Sequence, residues 1–333
     1  MVQFTAAFSI ESCVHVEGVV SLPEVPIATT TQQVEIQVSK IYCINRATSM
    51  LPFSIEDAAR SEAEQAVHVG QDTCLNARAL HLRLLFNQAG FRIKTQVKNK
   101  FREFLSSKDF VEIETPKLMA GSSEGGAAVF KLLYHGQPAC LAQSPQLHKQ
   151  MAICGGFERV FEVGPVFRAE TSRTPRHLCE FTGLDAEMEI MEHYFEVCDV
   201  IAGLFVSIFR HLNENCKEEL GVINKQRPFE PLKDAVTELE PMGDLTTEAE
   251  KVLGRLVKEK YGTDFYILHR YPLAVRPFYI MPCPDKTRLT AILSMSSFEP
   301  WRTSTWWFRG GVGEGDGALL RPQQHQGDVH VPP

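Results

Sequence analysis

From Glu158 to Ile190 the chain alternates apolar and polar residues in two runs, ERVFEVGPVFRAE and EFTGLDAEMEI, separated by a charged stretch, Thr171 to His177. Successive strand residues point to opposite faces, so the pattern predicts two antiparallel strands joined by a charged loop. Val163, Pro165 and Phe167 with Leu184, Ala186 and Met188 supply an apolar face for a core. The other face carries Gly164, Val166, Arg168 and Glu170, then Phe181, Gly183, Asp185 and Glu187. An arginine, an aromatic ring and several carboxylates on one side of a sheet form an open polar platform, suited to a phosphate and a flat base.

The rest of the chain is arranged around this hairpin. Short alternating runs, CVHVEGVVSL and QQVEIQVSKIYCI, predict strands of a small β domain over 1–50, an incomplete set because two or three strands rarely bury enough surface to stand alone. Residues 51–88 are polar with weak periodicity and read as a linker or hinge. From Ala89 to Phe110 the period becomes helical, with Ile93, Val97, Phe101, Phe104 and Leu105 on one face. VEIET alternates as a strand until Pro116 stops it. GSSEGGA is a glycine-rich loop presenting Glu124, and AVFKLLY and PACLAQ form a hairpin about the turn HGQ. In SPQLHKQMAICGG, Ser144 is placed as N-cap, Pro145 at the first helical position and Gly155 and Gly156 as the stop. HYFEVCDVIAGLFVSIFRHLNENCKEEL predicts one long helix with Val197, Ile201, Leu204, Phe205, Ile208 and Leu212 inward. A second helix over TTEAEKVLGRLVKEKYG, with Thr247 and Glu250 as a capping box, and two strand-like runs in DFYILHRYPLAVRPFYIMP follow. The order is α+β, an antiparallel sheet that receives helices.

Composition narrows the choice. At 333 residues, 44% hydrophobic and 23% charged, the chain suits a soluble protein of two domains. No apolar run approaches a membrane span and no signal core opens the chain, so a cytoplasmic location without membrane contact is expected. Nine cysteines without a CxxC pair signal neither zinc nor a disulfide framework. A net charge of −7 argues against a general polyanion binder. Arg92, Lys94, Lys98, Lys100 and Arg102 could form a local basic patch, or simply a solvated helix face.

Taken in order, the motifs resemble the class II aminoacyl-tRNA synthetases, most closely the aspartate-specific branch of archaeal and eukaryotic type. FVEIETPKL is similar to the family's first motif, and GPVFRAE, the loop through RHL and EFTGLDAEME to its second. SEGGA and AQSPQLHKQ resemble the amino-acid pocket. The similarity runs from about residue 8 to about 288. It implies a class II antiparallel sheet flanked by helices over 89–290, preceded by a partial OB-fold domain that would bind the anticodon. It also implies activation of L-aspartate with ATP and Mg2+ to an aspartyl-adenylate, transfer to tRNA(Asp), and a homodimer with Pro116 at its interface. Arg168 would hold phosphate and substrate carboxylate together, and Glu170 would accept from adenine or position the tRNA end. Phe181 would stack on adenine, with Ala169, Arg176, His177 and Leu178 lining the ATP site. Glu124, Gln146, Lys149 and Asp185, with Arg168, would hold aspartate, Glu124 meeting the ammonium group and Lys149 the side-chain carboxylate. A lysine at 149 favours aspartate over asparagine, and either over lysine. Taken singly, Arg168 and Glu170 would fit a cross-strand ion pair, Phe181 a buried ring, and Glu124 and Lys149 surface charges.

Three departures qualify the resemblance. The N-terminal β region corresponds to only the later strands of the anticodon-binding barrel. The stretch from Pro231 to Thr246 is shorter than in relatives. From Ala291 the tail, with Trp301, Trp306, Trp307 and RGGVGEGDGALL, leaves the family pattern and has no periodicity. Ile292 to Phe298 matches what a one-base slip would give if the family run Asn-Ser-Phe-Asp-Val-Phe-Ile were encoded there, which suggests a frame error over 291–333. Such a chain would lack the metal-binding carboxylate, the substrate arginine and the third motif. Little or no aspartate-dependent pyrophosphate exchange is then expected, and a non-catalytic fragment that binds tRNA or a partner synthetase, or an asparagine-specific enzyme, is the alternative.

Overall fold

The computed structural model describes residues 2–27, 32–60, 69–121, 129–169, 178–192, 195–229, 237–239, 247–263, 265–268, 282–283, 286–290, 293–297 and 306–308. The chain divides into two compact units, Met1–Gln88 and Ala89–Pro333.

In the first unit a short helix α1 (Val2–Thr5) precedes β1 (Cys13–Ser21) and β2 (Glu35–Asn45), a two-stranded antiparallel ribbon at the positions the alternation predicts. Its apolar residues Val14, Val16, Val20, Ile36 and Val38 are exposed, as expected of a pair of strands without a covering layer. The stretch 51–88, read from sequence as a linker, has among its described residues the short helices α2 (Ile55–Ala59), α3 (Gln71–Asn76) and α4 (Arg78–His81) ahead of the next long helix. The Ser54 hydroxyl caps α2 by accepting from the amides of Glu56 and Asp57. These helices escape periodicity because none is long enough to show two turns of an apolar stripe.

The second unit is built on α5 (Leu85–Ser106), whose residues from Ala89 on belong to it. After α5 come β3 (Val111–Glu112), β4 (Leu118–Met119), β5 (Lys131–Tyr134) and β6 (Gln137–Leu141). The β5–β6 turn places His135 and Gly136 at φ 50° and 76°, a two-residue hairpin turn that needs left-handed backbone at both positions. Helix α6 (Gln146–Cys154) begins one residue later than the sequence suggests: Pro145 is the cap, and the Ser144 hydroxyl accepts from the Gln146 amide at 3.3 Å.

The central hairpin is β7 (Arg159–Phe167) and β8 (Glu180–Met188), antiparallel, with β3 parallel to β7 on its other side. One face of this sheet makes the core with α5 and α7 (Phe195–Asn215): Phe161 meets Ile93, Phe101, Leu105, Leu204, Ile208 and Leu212, flanked by Val163, Leu184, Ala186 and Met188. Phe101 and Phe161 pack edge to face at 5.8 Å between centroids. The predicted long helix is broken at Cys216 (φ −121°, ψ 31°), after which α8 (Lys217–Gln226) returns Leu220 and Ile223 to the same core.

Beyond lie β9 (Thr237–Leu239), α9 (Thr247–Tyr261), β10 (Phe265–Leu268), β11 (Pro282–Cys283), β12 (Lys286–Thr290), β13 (Leu293–Ser297) and β14 (Trp306–Phe308). The order β14-β13-β10-β9 makes a second sheet, docked on α7 through Ile267, which is buried against Ile201 and Phe205. Two stretches of the aperiodic tail are thus strands, because backbone pairing, of β13 to β10 and of β14 to β13, forms a strand whatever the side-chain pattern.

Candidate active site

The second face of the β7–β8 hairpin carries the candidate chemistry. Register fixes its rows: Val160 opposite Glu187, Glu162 opposite Asp185, Gly164 opposite Gly183, and Val166 opposite Phe181. Like charges directly opposite each other oppose pairing, so Glu162 and Asp185 each need a cation, and each has one.

Lys117, from the segment after Pro116, donates to Glu162 at 2.5 Å, and the Thr115 hydroxyl donates to its second oxygen at 2.7 Å. Lys149 comes from α6, which lies across β7 and β8. Its Nζ stands 3.6 Å from Asp185 Oδ1 and 3.3 Å from Glu187 Oε2, and donates to the Ala186 carbonyl at 3.2 Å. Gln146, one helical turn earlier on α6, donates to Glu187 at 3.1 Å. Lys149 and Gln146 therefore share a face of α6, as their spacing requires, and both end at Glu187. The platform is consequently less open than the alternation suggests: Val160, Glu162, Val166 and Gly183 are buried, because α6 and the Thr115–Lys117 segment bring their own donors down onto the sheet.

Lys149 retains only 3% side-chain exposure, which rules out the surface-charge reading. A buried ammonium costs several kcal/mol unless paired, roughly offset here by two carboxylates and a carbonyl. Burial pushes the Glu187 carboxyl above the usual carboxylate range, Asp185 adds to the rise, and Lys149 and Gln146 pull the other way.

Between this charged row and the open end of the hairpin lies a gap made by two glycines. A Cβ on Gly164 would stand 2.7 Å from Glu162 Oε1, and one on Gly183 would stand 2.6 Å from Asp185 Oδ2 and 2.9 Å from Val166 Cγ2. Side chains there would fill the space above the carboxylates.

At the far end the Arg168 guanidinium lies over the Phe181 ring, 5.5 Å from its centroid, and its Nε donates to the Gln143 carbonyl at 3.3 Å. Position is set by backbone: the Phe167 amide donates to the Ala142 carbonyl, and the Arg168 amide to that of Cys179, tying the strand end to the segment that starts α6. Ala169 is half-buried beside it and Leu178 is exposed. Glu124, Glu170, Arg176 and His177 lie outside the described residues. Pro116 is exposed, between the exposed side chains of Val111 and Leu118.

Glu187 is placed on the polar face from sequence but given no role, and two residues of this cluster, Glu162 and Lys117, are not singled out at all. Glu187 was legible as an i+2 neighbour of Asp185 on the same strand face; the Lys117–Glu162 pair spans 45 positions and has no local signal. The basic run on α5 is mostly spent locally: Arg92 pairs with Glu219, Lys100 with Glu103, and Arg102 with Glu112, the solvated-face alternative. Among the described residues no group of three or more His, Cys, Asp or Glu is placed to hold a metal ion, and no helix is long and apolar enough to cross a membrane.

Comparison with known proteins gives this geometry a context. The family pattern described as tRNA synthetases class II (D, K and N) matches residues 70–299. The chain is 59% identical over 312 residues to the cytoplasmic aspartate–tRNA ligase 2 of Arabidopsis thaliana, covering 86% of this chain and 56% of that protein. It superposes on the aspartyl-tRNA synthetase of Entamoeba histolytica with a TM-score of 0.78 at 42% identity, covering 89% of this chain and 64% of that one. On an asparaginyl-tRNA synthetase of Pyrococcus horikoshii complexed with asparaginyl-adenylate the TM-score is 0.70 at 27% identity, over 89% of this chain and 68% of the other. The chain thus spans a little over half the length of the Arabidopsis relative. The match over residues 70–299 takes in most of the chain, including the β3-β7-β8 sheet and the lysine-bearing helix α6, and places this chain in the class II tRNA synthetase family (D, K and N).

Proposed function

We propose that the chain carries the amino-acid-activating site of an aspartate–tRNA ligase. The observation that carries this is Lys149: a buried cation that α6 brings to the hairpin face bearing Asp185 and Glu187, with Gly164 and Gly183 the next row along that face and Arg168 at its far end. L-Aspartate enters with its side-chain carboxylate toward Lys149 and its ammonium toward Asp185 and Glu124. ATP lies toward the open end, adenine against Phe181, with Ala169, Glu170, Arg176, His177 and Leu178 around it.

An α-carboxylate oxygen of aspartate then attacks the α-phosphorus, and pyrophosphate leaves with the bonding electron pair. Little acid or base work is needed; positioning and charge stabilisation dominate. Arg168 supplies both, since its planar fork bridges the carboxylate and the phosphate, and the Gln143 carbonyl and Phe181 ring hold that fork in place. The resulting aspartyl-adenylate passes its acyl group to the terminal ribose of tRNA(Asp). Mg2+ finds no protein cage among the described residues, so in this reading it comes with the ATP phosphates. The exposed Pro116 with Val111 and Leu118 is the homodimer contact, and the cytoplasm is the location that the Arabidopsis relative's name supports.

Isothermal titration with a hydrolysis-stable aspartyl-adenylate analogue tests the site, and aspartate-dependent pyrophosphate exchange tests whether it turns over. Specific binding of the aspartyl over the asparaginyl analogue is expected; equal binding, or none by the folded chain, refutes the proposal. The asparagine-specific reading draws on one observation, that Lys149 already faces two carboxylates and is not a bare anion receptor.

A further inference from the structure

Two acids on the β7–β8 face, Asp185 and Glu187, meet the same lysine. Among the described residues Glu162 is paired with Lys117 and Thr115, and Lys149 is the cation that Asp185 and Glu187 share. Glu187 is the deeper of the two, its side chain 10% exposed against 30% for Asp185. From α6 it faces Lys149 and Gln146; along its own strand it has Asp185; across the hairpin it has apolar Val160, and the nearest acid of β7, Glu162, stands opposite Asp185.

A ligand side chain that ends in a carboxylate must take Lys149 from one of these acids. Carboxylates that share one site cannot all remain ionised without cost, and one of them binds a proton. A carboxamide meets a different arrangement: its oxygen accepts from Lys149 and its NH2 donates to an ionised Glu187, so it seats with no proton bound. The same two residues therefore suit aspartate when Glu187 is neutral and asparagine when it is ionised. We propose that Glu187 is a specificity-determining residue, which competes with the ligand's side-chain carboxylate for Lys149 and yields by binding a proton as aspartate seats. The inference rests on the aspartate-site reading above. Glu187 is the more deeply buried of the two acids, and that burial holds its carboxyl above the usual range, so it is the acid that yields. By linkage, aspartate then binds more tightly as pH falls toward the titration of Glu187, while asparagine does not.

Calorimetric titration of the full chain with L-aspartate and with L-asparagine, in two buffers of different ionisation enthalpy at pH 7.5, counts the protons directly. Uptake approaching one proton is expected with aspartate and none with asparagine. Glu187→Gln abolishes the uptake and raises the aspartate-to-asparagine affinity ratio about tenfold, the equivalent of one pH unit of competition. Aspartate binding to the wild-type chain without proton uptake, or the same uptake in Glu187→Gln, overturns the inference and leaves the aspartate site standing. Failure of the folded wild-type chain to bind aspartate at all overturns the site reading itself. The wild-type proton count needs no variant, so a poorly folding Glu187→Gln does not shield the inference.

Discussion

Lys149→Met keeps the side-chain stem and deletes the ammonium, so it separates the charge of the buried cluster from its packing. At 3.3 Å and 3.6 Å the attractions of Lys149 to Glu187 and Asp185 are gross energies of about 5 kcal/mol each at an effective dielectric of ~20. The cost of burying the ammonium cancels much of this, and the measured cost of breaking a buried pair is about 3–5 kcal/mol, because the partner charge is left uncompensated. Here the partner can escape by protonation. Removing Lys149 deletes the two largest influences that hold the Glu187 carboxyl down, so it rises further in the variant than in the wild type. Between those two titration points the variant's native state binds more protons than the wild type's. Its penalty therefore shrinks as pH falls, by up to ~1.4 kcal/mol per pH unit. Urea unfolding followed by circular dichroism at pH 7.5 and at pH 5 measures this. The expected result is a loss of ~3–5 kcal/mol at pH 7.5 that is smaller by at least ~1 kcal/mol at pH 5. A pH-independent penalty, or none at either pH, refutes the view that Lys149 neutralises two buried acids.

Gly183→Val puts a Cβ 2.6 Å from Asp185 Oδ2, so it should cost ~1–3 kcal/mol in thermal unfolding and abolish aspartate binding in the same calorimetric assay. Leu204→Ala, in the core between α5, α7 and β7, should cost ~2–5 kcal/mol of stability by urea titration, a core effect remote from the charged row. Arg168→Lys keeps the charge but loses the fork and its stacking on Phe181; affinity for the adenylate analogue should fall at least about tenfold while the unfolding midpoint stays put. Leu118→Glu, on the exposed patch beside Pro116, should shift sedimentation from dimer to monomer with the fold unchanged.

Sequence alone determined whatever depends on local period. Strands β7 and β8 and their apolar face, helix α5 with Ile93, Phe101 and Leu105 inward, and the i, i+3 pairing of Gln146 with Lys149 all follow from alternation or helical spacing. The motif order then pointed to the class II family, and the family match bears that out. Where two principles competed locally, the boundary moved: Pro145 took the cap from Ser144, and Cys216 broke a helix whose apolar stripe runs on through Leu220.

Only the tertiary structure decided which charges are buried and with what. Lys149 has the sequence context of a surface lysine on an amphipathic helix, and becomes a nearly inaccessible cation because α6 lies on the sheet face that carries Asp185 and Glu187. Lys117 and Glu162, 45 positions apart, meet because β3 runs parallel beside β7 and delivers the segment after it to the same face. Charge, unlike apolar pattern, has no period: its energy depends on distance and burial, and both are set only when elements remote in the chain pack together.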